Sequence, residues 1–256
     1  MKLKGKIALI TGASAGIGAA TAMVFASEGA RLLLAARRAA KLADVASRAL
    51  DRGASAVHSI DLDVRSRHAV QHAIDELPQE WAEIDILVNN AGLSRGLEKL
   101  YTGRIEDWEE MIDTNIKGLL YVARAVVPGM VVRRRGHVVN LGSMAGEIVY
   151  PNGAVYCGTK AATRAINDGL RQDLLGTPVR VTSIDPGLVE TDFSLVRFHG
   201  DAGKAAKVYK GITPLTAEDV ADAILWTVTR PEHVNIARVS LTSVDQANTL
   251  LIHREQ

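Results

Sequence analysis

The chain has 256 residues, with 30 Lys+Arg against 29 Asp+Glu and a formal net charge of +1. Near-neutrality argues against a long basic arm and against phosphate-backbone binding as the main role, so no nucleic-acid partner is expected. A hydrophobic share of 47% with 23% charged residues excludes wholesale disorder, and the one cysteine, Cys157, allows no internal disulfide and suits a reducing, cytoplasmic setting.

The chain opens on the basic segment Met1-Lys2-Leu3-Lys4-Gly5-Lys6, followed by the short apolar run Ile7-Ala8-Leu9-Ile10. A secretory leader needs roughly 7–15 apolar residues after its basic start, so this run reads as a buried strand. No stretch approaches the ~20 apolar residues of a membrane helix, and no membrane association is expected. Further strands are predicted at 31–36, 56–60, 84–88, 136–141, 180–184 and 235–241, after the first at 6–10. Helical periodicity and length mark 17–28, 38–52, 66–77, 105–132, 155–175 and 217–229. Runs such as Leu32-Leu33-Leu34-Ala35-Ala36 are continuously apolar, which fits parallel strands covered on both faces. The regular alternation predicts an α/β, doubly wound Rossmann fold. It would hold a seven-stranded parallel sheet with helices on both faces, in a single domain over 1–256. One long irregular stretch, 187–214, is expected to be a functional or mobile loop beside the substrate.

Thr11-Gly12-Ala13-Ser14-Ala15-Gly16-Ile17-Gly18 lies between the first strand and the first helix. Gly12 permits the tight turn, Gly16 lets the backbone approach a pyrophosphate, and Gly18 lets the helix pack close to the sheet. The helix N-terminus then offers free N–H groups to phosphates, so a dinucleotide is expected on this loop, Ser14 and Ile17 included. NAD-binding folds keep an acidic residue at the end of the second strand for the adenosine ribose. Here that end reads Ala35-Ala36-Arg37-Arg38. Two guanidiniums suit a 2′-phosphate, which favours NADP(H) over NAD, with Arg37 as the first choice of contact and a solvated helix start as the bland alternative.

The strand Gly136-His137-Val138-Val139-Asn140-Leu141-Gly142 ends at Ser143, beyond the carboxyl edge where open parallel sheets bind ligands. Tyr156-Cys157-Gly158-Thr159-Lys160 then opens a helix, and residues at i and i+4 share a face. A Lys160 ammonium beside the Tyr156 phenol would lower its pKa and make it an acid/base near neutrality. Ser143 can orient a carbonyl oxygen. The seven histidines are scattered without zinc-type spacing, so no metal is expected.

These motifs together resemble the short-chain dehydrogenase/reductase family, single-domain type. The resemblance runs from Thr11 to about Ser240. It rests on Thr11–Gly18, Asp63-Val64, Asn89-Asn90-Ala91-Gly92, Asn115, Ser143, Tyr156 with Lys160, and Asp185-Pro186-Gly187 with Thr191. It implies that Tyr156 is the acid/base, that Ser143 holds the substrate oxygen, and that Lys160 tunes Tyr156 and binds the nicotinamide ribose. Asn115 would hold a water linking Lys160 to solvent; read by itself, it is a polar residue or kink inside a long helix. Asp63 and Val64 would flank the adenine. Asn89, Ala91 and Gly92 would line the cofactor and brace the sheet, and Pro186, Gly187, Val189 and Thr191 would cover the nicotinamide. By the same analogy the long helices 105–132 and 155–175 would form a homotetramer.

Residues 185–201, 208–220 and 230–236 resemble the NADP-dependent 3-hydroxy acid dehydrogenases, the group of serine 3-dehydrogenase and malonic semialdehyde reductase. The resemblance implies a small-molecule substrate such as serine, allo-threonine, 3-hydroxypropionate or 3-hydroxyisobutyrate. A cation in the substrate loop would anchor the carboxylate, with Arg197 the first candidate and Arg95 the second; Arg95 stands where that group is expected to have a small or apolar residue. The alternatives are a 3-oxoacyl thioester reductase, whose glycine-rich C-terminal segment is not found in this chain, and a non-catalytic NADP sensor, which would not need Ser143, Tyr156 and Lys160.

Overall fold

A computed structural model describes residues 1–255. The apolar runs become β1 (Ile7–Thr11), β2 (Arg31–Ala36), β3 (Ala56–Asp61), β4 (Ile86–Asn89), β5 (His137–Leu141), β6 (Arg180–Pro186) and β7 (Arg238–Leu241). They form one seven-stranded sheet in the order β3-β2-β1-β4-β5-β6-β7, with every pairing parallel. The chain winds outward from β1 to β3 and then returns to β4 beside β1. That reversal opens a crevice at the carboxyl ends of β1 and β4, where open α/β sheets bind their ligands.

Alternate strand residues feed two cores, as the two-residue period of a strand requires. Ala8, Ile10, Leu32, Leu34, Val88 and Val139 face α1 (Gly16–Ser27), α2 (Ala39–Asp51) and α9 (Ala217–Val228). Ile7, Leu9, Leu33, Leu87, Val138 and Val181 face α3 (Arg67–Asp75) and α5 (Leu119–Val132). A capping box between Thr216 and Asp219 starts α9.

The predicted helix 105–132 is three pieces. α4 (Ile105–Ile112) and α5 flank a six-residue π-helical segment, Asp113–Gly118. Asn115 sits inside that segment and is buried, so the kink expected of it is present. Gly118 belongs there because a Cβ would lie 2.7 Å from the Val64 side chain. By length and composition, Ile105–Val132 could span a bilayer, contrary to the sequence reading; its most apolar window averages 1.3 in hydropathy. Here its Val122, Val126, Val127 and Met130 are buried against the sheet.

α6 (Ala154–Asp173) buries a polar face, Tyr156, Lys160, Thr163 and Asn167, against the end of β5. The stretch expected to be irregular, 187–214, instead contains α7 (Phe193–Arg197) and α8 (Ala202–Tyr209). Asp201 caps α8 by accepting from the Lys204 N–H at 2.9 Å. Both helices are too short to give the sequence a helical period. A parallel bridge between Val189 and Leu215 closes the segment at its base.

Phe25 is fully buried in the core beneath α1. Phe25→Ala should cost about 3–5 kcal/mol of unfolding free energy, read as a lower urea midpoint.

Candidate active site

A cleft of about 650 Å³ lies over the carboxyl ends of β1, β2, β4, β5 and β6. Its floor begins at the glycine loop. Gly12 and Gly16 have φ of +65° and +53°, the left-handed region that favours glycine. A Cβ on Gly12 would lie 2.9 Å from both the Ala91 backbone and the Asn90 side chain, and one on Gly16 would touch Thr191 at 3.4 Å. The loop is therefore pinched between β4 and the segment after β6. Its N–H groups are left facing the cleft at the start of α1, an arrangement suited to a pyrophosphate.

At the adenosine end, Arg38 donates from Nε and Nη2 to Ser14 Oγ at 3.1 and 3.0 Å. Arg37 also lines the cleft and lies 3.9 Å from Glu110. Asp63 and Val64 form the opposite wall. The Asp63 carboxyl is held below its ordinary value mainly by hydrogen bonds from Arg65.

The groups expected to react converge farther along. Ser143 follows β5 with its hydroxyl accepting from the Ala145 N–H at 3.1 Å. Tyr156 and Lys160, one turn apart on α6, both line the cleft and are buried. Lys160 Nζ donates to the Leu141 carbonyl at 2.7 Å. Asn115 Oδ1 accepts from the Leu93 N–H, and its Nδ2 donates to the Leu93 carbonyl and to Thr159 Oγ1, at 2.8 to 3.0 Å.

Arg197 completes this end. It is 9% exposed, yet forms no ion pair among the described residues. Its guanidinium lies 5.1, 5.3 and 5.8 Å from the rings of Phe193, Tyr156 and Tyr150, and Nη2 donates to the Tyr150 hydroxyl at 3.0 Å. Its buried Nε has no partner.

A family profile described as short chain dehydrogenase matches residues 6–200. The chain belongs to the short-chain dehydrogenase family. It is 47% identical over 251 residues to an NADP-dependent 3-hydroxy acid dehydrogenase of Escherichia coli strain K12, covering 97% of this chain and all of the relative. An enzyme of the same name from Schizosaccharomyces pombe is 42% identical over 256 residues, covering 100% of this chain and 99% of the relative. Among solved structures, a closed form of serine dehydrogenase complexed with NADP+ superposes with a TM-score of 0.90 at 47% identity, covering 98% of this chain and 100% of that one.

Within this short-chain dehydrogenase, three expected cofactor or catalytic residues sit outside the cleft surface. Asn89 is buried and donates to Asn140, which donates to Asn167 on α6; it braces the sheet and leaves the lining to Asn90, Ala91 and Gly92. Gly18 lies under the loop, where a Cβ would come within 2.5 Å of the Gly12 carbonyl and Asn90. Asn115 acts on the Leu93 backbone and on Thr159 rather than facing the cleft.

The electrostatic expectation for Tyr156 also changes. Burial raises its pKa, and the charge that opposes this is Arg197, followed by hydrogen bonding with Ser143. The Lys160 ammonium is itself pushed down to about 8 by burial, with Asp185 opposing, and stays a cation at neutral pH. Three further features were beyond sequence reasoning. Tyr150 with Gln246, Thr249, Ile252 and Arg254 lines the cleft, Gln246 Oε1 accepts from the Leu188 N–H at 2.8 Å, and Glu110 gathers Arg37, Arg65 and Arg95. Each joins segments far apart in the chain.

The Lys160 value has a consequence for stability. From about pH 8 to 10.5 the unfolded chain holds a proton that the folded protein has released, so stability rises with pH across that window. Lys160→Met removes this dependence. Urea unfolding of ligand-free protein should show wild type gaining on the variant by at most about 1.4 kcal/mol per pH unit above pH 8, and no such drift below pH 7.

Proposed function

We propose that the protein is an NADP-dependent oxidoreductase that interconverts a small 3-hydroxy acid and its 3-oxo product. The observation that carries this reading is Arg197, a buried guanidinium without a carboxylate partner, beside the Tyr156 ring. A buried cation of this kind wants an anion. A 3-hydroxy acid brings a carboxylate two carbons from the reacting centre, which lets one group sit on Arg197 while the other meets Tyr156. The two dehydrogenases named above, and the serine dehydrogenase with NADP+, point to the same substrate class.

The residues present fit NADP. The glycine loop leaves no room for a Cβ at Gly12 or Gly18 and holds Gly16 at a left-handed φ of +53°, and β2 ends in Ala36 followed by Arg37 and Arg38 with no carboxylate. Arg38, held on Ser14, and Arg37 would take the 2′-phosphate, and Asp63 and Val64 would flank the adenine. Ala91, Gly92, Pro186, Gly187, Val189, Thr191 and Lys160 would hold the nicotinamide ribose and ring. When bound, NADP(H) exchanges a hydride with the substrate carbon. Tyr156 gives its hydroxyl proton to the carbonyl oxygen in reduction and takes it back from the alcohol in oxidation. Ser143 donates to that same oxygen. Burial keeps Tyr156 protonated, which suits a proton donor, while Arg197 and Ser143 keep the phenolate within reach. Lys160, fixed on the Leu141 carbonyl, stands behind Tyr156 for proton exchange, and Asn115 holds the neighbouring backbone in place.

The reading includes a homotetramer in the cytoplasm. Ile105, Ile112, Leu120 and Val132 leave apolar surface along α4 and α5, and the single thiol, Cys157, is free.

Tyr156→Phe should lower kcat by roughly 10²–10⁴-fold and leave NADPH affinity unchanged by fluorescence titration. Arg37→Ala and Arg38→Ala should each raise the KM for NADPH while leaving that for NADH nearly constant. Equal effects on both coenzymes would count against a 2′-phosphate contact.

A further inference from the structure

Arg95 lines the cleft but directs its donors at the protein. Nε donates to Glu110 Oε2 at 2.7 Å, and Nη1 donates to the Val196 carbonyl at 2.6 Å. The next residue, Gly96, donates its N–H to the Arg197 carbonyl at 2.9 Å. Residues 95 and 96 therefore grip two consecutive carbonyls at the end of α7, the very residues that carry the Arg197 side chain.

This grip matters because α7 has only five residues. A helix that short has no independent stability, and its last carbonyls lack partners within it. A guanidinium at that end strengthens the hold on the Val196 carbonyl, which otherwise accepts only the His199 N–H at 3.3 Å, and complements the helix dipole. Glu110, on α4, holds the guanidinium in turn. Although burial raises the Glu110 carboxyl, Arg95, with Arg37 and Arg65 behind it, holds it below its ordinary value, so it stays charged at neutral pH. His199 adds a weaker tie from the far side of α7 to Asp107 on α4, at 3.1 Å.

We propose that Arg95 is a positioning residue for substrate selection: anchored on Glu110, it fixes α7 so that Arg197 faces the reacting centre and a carboxylate-bearing alcohol is preferred. The proposal rests on the reading that Arg197 takes the substrate carboxylate. Arg95 acts through Arg197 and needs no contact with substrate. Glu110 is a less clean test site, because its Oε1 lies 3.9 Å from Arg37 and 3.8 Å from Arg65, toward the adenosine end.

The experiment compares wild type with Arg95→Ala, Arg95→Lys, Arg197→Ala and the Arg95→Ala/Arg197→Ala double variant, all saturated with NADP+. Two quantities are read. One is the ratio of kcat/KM for 3-hydroxyisobutyrate to that for its uncharged carboxamide. The other is the calorimetric affinity for isobutyrate, which has the carboxylate but no hydroxyl to oxidise. Arg95→Ala should cut the acid-to-amide preference by roughly 10-fold or more and weaken isobutyrate in parallel, with the amide far less affected. Arg95→Lys reaches one partner but not both, so it should fall between. In the Arg197→Ala background, loss of Arg95 should change the preference no further. An additive loss would mean that Arg95 touches substrate directly and would overturn the proposal. So would an equal fall for acid and amide, which marks a scaffold defect only. If Arg197→Ala itself leaves the preference intact, the carboxylate reading fails and the proposal falls with it. If only Arg95→Ala leaves it intact, the positioning role alone is refuted.

Discussion

The Thr11 hydroxyl donates to the Val88 carbonyl and accepts from the N–H groups of Asn90 and Ala91. One side chain thus ties the end of β1 to the end of β4, the two strands between which the sheet reverses direction. Asn90 answers by donating to the carbonyls of Thr11 and Gly12. The seam continues across the sheet through Asn89, Asn140 and Asn167 to α6, where Lys160 reaches the Leu141 carbonyl. Buried amide donors are costly to leave unpaired, and pairing those of Asn89, Asn90 and Asn140 favours this register over others. The glycine loop and the acid/base helix are set at opposite ends of this seam, and the distance between coenzyme and proton donor follows from it.

The balance of charge looks different from inside the cleft. A chain that is nearly neutral overall concentrates Arg37, Arg38, Lys160 and Arg197 around one cavity. Carboxylates that could quench them are committed elsewhere. Asp63 is forked by Arg65, Asp185 takes Arg238 Nε, and Glu110 takes Arg95 Nε at 2.7 Å with Arg37 only at 3.9 Å. What remains is positive charge at each end, Arg37 and Arg38 on one side and Lys160 and Arg197 beside Tyr156 on the other. An anionic coenzyme and an anionic substrate are both matched by this layout.

Much of this was legible in the sequence, and for a shared reason: it depended on local spacing. Strand positions came from apolar runs, the loop from glycine positions, and Tyr156 with Lys160 from a single helical turn. The parallel, doubly wound class followed from the alternation, whereas the strand order came only with the structure. Misreadings arose where a residue's role is set by a distant partner. Asn89 looks like part of a cofactor motif until Asn140 claims its amide. Lys160 is readable from its spacing as a cation one turn from Tyr156, but Arg197, which also lowers the Tyr156 pKa, arrives from a segment 41 positions away and gives no local signal. The π-helical segment at Asp113–Gly118 was masked by the continuous apolar period around it. α7 and α8 were masked by being shorter than the window that reveals a helix.

The polar seam and the α7 clamp also divide the site mechanically. The Tyr156 side is tied into the sheet by buried amides, whereas the Arg197 side rests on a short helix, one arginine and a few loop contacts. Substitutions that reshape the selecting wall can accumulate without moving Tyr156 or the glycine loop. A lineage, or a laboratory library confined to 193–210, can thus explore new alcohols on an unaltered hydride-transfer platform.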